Sequence, residues 1–127
     1  AAAHPTLRLT VDHLDLPGRK VDDEAFGGLQ TLLDLAQYEN VYVKFSPQPH
    51  KSDEEYPHRD SLPAFQKIYE AFGRERVMWG TDFPHVLLGM GYGPALDLFR
   101  EHMGFLSAED KEWLFGKTAS SVWNFAD

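Results

Sequence analysis

The sequence predicts an α/β fold with parallel strands, and three observations carry that expectation. Strand-like apolar runs and segments with helical apolar spacing alternate in the order strand, helix, strand, helix, strand, helices, an order that parallel strands joined by right-handed crossovers satisfy. Two of the strand-like runs lead into a histidine and an aspartate, His13 and Asp82. No internal repeat, low-complexity tract or linker interrupts the rhythm, so residues 1–127 read as a single domain.

The first strand is expected from Leu7 to His13, where apolar and polar residues alternate before Pro17 and Gly18. A helix is expected from Asp22 onward. Phe26, Leu29, Leu32, Leu33 and Ala36 recur at its spacing, and Asp22, Asp23 and Glu24 suit the positive end of its dipole. Gly27 and Gly28 should loosen its first turn. Val41 to Ser46 form a second strand of β-branched and aromatic residues, stopped by Pro47 and Pro49. From Gln48 to Asp60 no apolar period exists, so this stretch is expected to be a loop. Ser61 is expected to cap the next helix, with Pro63 in its first turn, Phe65, Ile68, Tyr69 and Phe72 as its stripe, and Gly73 at its end. The third strand spans Arg76 to Gly80. After a loop from Thr81 to Gly93, Pro94 is expected to open a helix carrying Leu96, Phe99 and Met103. Ser107 and Asp110 suggest a capping box for a helix that Gly116 stops, and a last short helix should hold Val122 and Phe125.

Composition excludes some functions. Twenty acidic against 12 basic residues give a net charge of -8, which disfavours nucleic acid and anionic membranes as partners. No run of 18 or more apolar residues and no secretory leader are seen, and the absence of cysteine fits a cytoplasmic location. It also removes thiolate metal sites and cysteine nucleophiles. The start at Ala1, Ala2 and Ala3 in place of an initiator methionine leaves processing, an added segment or an interior origin open.

His13 and Asp82 are the leading candidates for chemistry. In a parallel α/β barrel the carboxyl ends of strands are where reacting side chains sit, and both residues should face one end of the sheet. Each also has an ordinary structural reading: a solvated histidine, or an aspartate that caps the next segment. His85 lies on the loop after the third strand as a candidate to bind a substrate carboxylate or carbonyl. Lys44 shares parity with Tyr42 and Ser46 and is a second substrate-binding candidate as a charge for an anionic substrate, although a salt bridge or a snorkelled side chain is the ordinary reading of it. His50 and His58 read as surface residues of the long loop. His4 and His102 have no motif around them, and Trp79, Trp113 and Trp123 read as core aromatics.

The run Val77-Met78-Trp79-Gly80-Thr81-Asp82-Phe83-Pro84-His85 resembles the last barrel strand of the amidohydrolase superfamily, in its family-2 type. Val11-Asp12-His13-Leu14 is similar to the end of the strand two earlier, and Asn40 to Ser46 to the strand between. Gly116-Lys117-Thr118-Ala119 resembles the family's closing helix, with Thr118 where an asparagine is usual. The resemblance implies the C-terminal strand-helix units of a (β/α)8 TIM barrel, incomplete in this chain, covering about Leu7 to Phe125. It implies that Asp82 is the carboxylate that binds a catalytic metal or takes the proton of the attacking water, and that His13 ligates metal or polarises the substrate carbonyl. The expected activity is hydrolysis of a C–O or C–N bond in a small carboxylic acid, as a metal-dependent amidohydrolase or a lactonase. A metal-dependent decarboxylase and a non-catalytic interaction fragment are the alternatives.

The sequence departs from the family in two ways. A complete barrel has eight units over roughly 250 residues, and only three are recognisable here. The family's first strand ends in a His-x-His pair, whereas none of the six histidines has another two positions away. A divalent metal, zinc or manganese, is therefore an open expectation, since catalytic zinc takes three protein ligands and some members of this branch work without one. Open parallel edges lead to the expectation of an oligomer, or of association with the missing barrel half, and of an inactive isolated chain.

Overall fold

The computed structural model describes residues 1–15, 27–123 and 125. Strands β1 (Leu9–Val11), β2 (Val41–Phe45) and β3 (Val77–Trp79) form a parallel sheet in the order β1-β2-β3. The register pairs Val11 with Val43 and Val43 with Val77, which aligns the carboxyl ends of the strands. Helices α1 (Leu29–Asp34) and α2 (Leu62–Phe72) stand between successive strands. After β3 come α3 (Val86–Gly89), α4 (Tyr92–Asp97), α5 (Ala108–Glu112) and α6 (Thr118–Val122).

The core lies on one face of β2. Val41, Val43 and Phe45 alternate as buried residues with half-buried Tyr42 and Lys44, the period-two pattern of a strand whose two faces meet different surroundings. Phe45 packs edge-on against Phe65 of α2 at 5.1 Å between ring centroids, and Phe65 meets Phe99 at 5.4 Å. Ile68 and Phe72 continue the α2 stripe at helical spacing. Arg76 ties this layer together: its guanidinium donates to the carbonyls of Phe72, Ala36 and Tyr38.

Several elements differ from the sequence expectation. The first strand is only three residues long, because from Asp12 the chain enters a tight turn in which His13 and Leu14 take left-handed backbone. The predicted start of α1, Asp22 to Phe26, lies outside the described residues, as do Pro17 and Gly18. Ser61 does not cap α2; its hydroxyl donates instead to the carbonyl of His58. The segment taken as a loop from Thr81 to Gly93 contains α3, and α4 begins at Tyr92 after Gly91 at φ 82°. Glycine is suited to that left-handed position, so the turn and not Pro94 sets the helix start. Gly73, also at positive φ, ends α2 as expected. The Ser107 and Asp110 capping box is formed in both directions. Gly116 does not stop that helix: Trp113–Lys117 continue it as a wider π-helical stretch into α6. Phe125 lies beyond α6 and is exposed. Among the described residues, no helix is long and apolar enough to cross a membrane.

Candidate active site

The carboxyl ends of the strands bring His13, Ser46 and Asp82 together. His13 Nε2 lies 3.5 Å from Asp82 Oδ1, and His85 Nδ1 lies 3.7 Å from the same oxygen. Asp82 is thus flanked by two imidazoles, each of which becomes an ion-pair partner when protonated. The other ring nitrogen of His13, Nδ1, lies 2.8 Å from Ser46 Oγ. Gln48 donates through Nε2 to the His13 carbonyl at 3.2 Å, so both the ring and the backbone of His13 are held by the segment that follows β2.

Local backbone geometry aims these groups. Among the described residues, left-handed backbone outside glycine occurs at His13, Leu14, His58 and Asp82, with φ between 51° and 65°. Such positions cost of order 1–3 kcal/mol each and persist where the surroundings enforce them, commonly at functional sites. After Asp82, the Thr81 hydroxyl accepts from Phe83 N, and the Asp82 carbonyl accepts from Val86 N to start α3. The strand end therefore turns at once into a helix, leaving the Asp82 carboxylate at the mouth.

Beside Asp82 opens a cleft of about 660 Å³, walled by Pro47, Pro49, Val86 and Leu88 and edged by His50, His58 and His85. This is the size of a small-molecule pocket, and its mixture of apolar walls and few polar groups is what such pockets share. His50 and His58, read from the sequence as surface residues, both border it. The cleft is met by the turn Pro49–Lys51, in which burial pushes the Lys51 ammonium below its ordinary pKa.

Lys44 is not brought to the cleft. Its ammonium pairs with Asp12 Oδ1 at 2.6 Å and lies 5.7 Å from the Trp123 ring. Ser46 and Gln48 were missed as site residues by sequence reasoning. The available signal was the parity of Ser46 with Lys44 at the end of β2, which puts it on the face opposite the packed Phe45.

Among the described residues, no group of three or more histidine, aspartate or glutamate side chains is placed to hold a metal ion. His13 and Asp82 offer two ligands, short of the three that catalytic zinc takes from a protein. The described residues alone do not fit a zinc site.

A family model described as Amidohydrolase matches residues 1–125. The fold is similar to that of an amidohydrolase from Burkholderia multivorans solved with bound zinc, with a TM-score of 0.81 and 26% identity over 95% of this chain and 45% of that one. It is also similar to a protein from Pseudomonas putida assigned as a 2-pyrone-4,6-dicarboxylic acid hydrolase, with a TM-score of 0.69 and 26% identity over 92% of this chain and 43% of that one. A D-galactarolactone isomerase from Agrobacterium fabrum is 33% identical over 57 residues, which is 45% of this chain and 19% of the isomerase. The chain spans less than half the length of each of these relatives. With the family model matched over nearly its whole length, this chain belongs to the amidohydrolase family.

Proposed function

We propose that these residues are three strand-helix units of a TIM barrel and carry the end of an active site that hydrolyses a small carboxylic acid's lactone or, less readily, its amide. The observation that supports this most is the Asp82 carboxylate, set 3.5 Å and 3.7 Å from two imidazoles at the edge of a small-molecule cleft. A carboxylate at a strand end, open to solvent on the cleft side, is suited to act as a general base. Asp82 takes a proton from water as the water oxygen bonds to the substrate carbonyl carbon. The C–O or C–N bond then breaks, and the proton returns to the leaving alcohol or amine. His13, protonated or as a neutral N–H donor, polarises the carbonyl, and His85 at the rim meets the substrate's acidic group. Each of these steps is carried by this chain's own side chains; the described residues by themselves do not complete a metal site.

The preference for a lactone rests on the relatives: a pyrone and a galactarolactone are both cyclic esters. The galactarolactone isomerase also motivates a second reading, in which another hydroxyl of the substrate attacks the ring carbonyl in place of water and the original ring oxygen leaves as the new hydroxyl. Water labelled with oxygen-18 separates the two. Hydrolysis puts the label into the product carboxylate, whereas isomerisation returns an unlabelled lactone.

The partners follow the same reading: a small-molecule substrate, and a further protein surface that completes the barrel. In the three-stranded sheet β1 and β3 are edge strands, and unpaired parallel edges tend to find partners. The chain by itself is expected to associate in light scattering and to hydrolyse a panel of lactones and amides negligibly. A monodisperse monomer with enzyme-like turnover would contradict this reading of an incomplete barrel.

A further inference from the structure

We propose that Ser46 is a positioning residue that fixes the orientation and tautomer of the His13 imidazole, and that Gly80 is glycine to leave room for the Ser46 hydroxyl. The inference rests on the reading of His13 and Asp82 as the working pair. Ser46 is fully buried, yet it is polar. Burying a hydroxyl is unfavourable unless it is hydrogen-bonded, and its Oγ lies 2.8 Å from His13 Nδ1, 33 residues away in the chain.

The chemistry of the neighbours sets the direction of that bond. An ionised Asp82 carboxylate only accepts, so the imidazole edge facing it, Nε2 at 3.5 Å, is the one that carries hydrogen. In the neutral ring Nδ1 is then the acceptor, and Ser46 Oγ–H donates to it. Ser46 thereby selects the tautomer that presents N–H toward Asp82 and the reacting carbonyl, in the way a second partner fixes a histidine elsewhere. Gln48, also buried, holds the His13 carbonyl from the same segment. The ring and its strained backbone are thus fixed by two polar groups that would otherwise have no reason to be inside.

Gly80 stands on the adjoining strand end, where its amide donates to the Phe45 carbonyl. A Cβ at position 80 would lie 3.2 Å from Ser46 Oγ and 3.7 Å from Lys44 Cδ. The first separation is tighter than an ordinary contact, so alanine there pushes the hydroxyl by a few tenths of an ångström at the place where it meets His13.

The test is nitrogen-15 NMR of the His13 ring in the full chain, followed over a pH series and read on the neutral form of the imidazole. The wild type is expected to hold hydrogen on Nε2 and to leave Nδ1 bare. Ser46→Ala should reduce that tautomer preference by roughly fivefold or more, the worth of one hydrogen bond. Ser46→Thr, which keeps the hydroxyl, should restore it. If Ser46→Ala perturbs folding, as judged from the amide spectrum of the sheet, Gly80→Ala gives the same reading, since it retains the hydroxyl and moves it. A folded Ser46→Ala or Gly80→Ala variant with the wild-type tautomer would overturn the proposal. Failure of the catalytic reading shows up separately, as turnover indifferent to Asp82, so the two failures are distinguishable.

Discussion

The packed face of the sheet and its carboxyl end follow opposite rules. Behind β2, Val43, Phe45, Phe65 and Phe99 are fully buried and meet one another through apolar surface and favourable ring geometry. At the strand ends, polar side chains join the buried ones, as Ser46 and Gln48 show, and the backbone takes left-handed conformations at His13 and Asp82. The first region lowers the free energy of the fold. The second raises it locally and is held in place by the first, the usual arrangement of a site on a scaffold.

Breaking the scaffold should have the largest effect on stability. Phe45→Ala removes a ring that contacts both Phe65 and Phe99, and a cost of about 3–5 kcal/mol is expected in denaturant unfolding. A chain of this size has little more than that to lose, so the His13 and Asp82 geometry should be lost with it.

An intermediate effect is expected at the α5 cap, remote from the site. Ser107 accepts from Asp110 N, and Asp110 Oδ2 accepts from Ser107 N and Oγ. Ser107→Ala should cost about 1 kcal/mol, read as a lower unfolding midpoint. Hydrogen bonds from Ser107, then from Tyr69, hold the Asp110 carboxyl below the ordinary carboxylate range. A depressed folded pKa means that the carboxylate's stabilisation is present above the ordinary value and is lost as pH falls through the lower, folded one. Thermal melts should therefore drop in acid below about pH 4. Asp110→Asn should flatten part of that drop.

The smallest effect on stability is expected on the cleft wall. Leu88 is 88% exposed while bordering the cleft, so Leu88→Ser should change stability by no more than about 0.5 kcal/mol. In an active assembly the same change should raise KM for an apolar substrate and leave kcat alone, which would assign Leu88 to binding.

How much of this was legible in the sequence follows the same division. The strands β2 and β3 and the helix α2 were readable, because period-two and helical spacing report directly which side of an element is packed. Gly73 at the end of α2 and the Ser107 cap were readable because each acts within a few residues of itself. The end of the α5 stretch was misjudged, since Gly116 is accommodated by a wider helical turn that no local preference announces. The start of α4 was placed at Pro94 because the left-handed Gly91 that sets it carries no apolar signal. In the site, His13 and Asp82 stood out by ending strands. Their hold on Ser46 did not, because it joins residues 33 positions apart through the sheet register. His50 and His58 read as surface residues, and His50 is exposed; that both also border the cleft carries no local signal, because their loop has no period.

The most direct test of the whole account is Asp82→Asn, measured for turnover on lactones and for thermal unfolding in the assembly proposed to complete the barrel. An amide keeps the shape of the side chain but is neither a base nor an anion for the flanking imidazoles. The account predicts that kcat/KM falls by about two to four powers of ten, with a melting temperature close to that of the unsubstituted protein. Turnover at the unsubstituted rate, or a loss of activity that merely follows a loss of folding, would show that Asp82 belongs to the scaffold and not to the site.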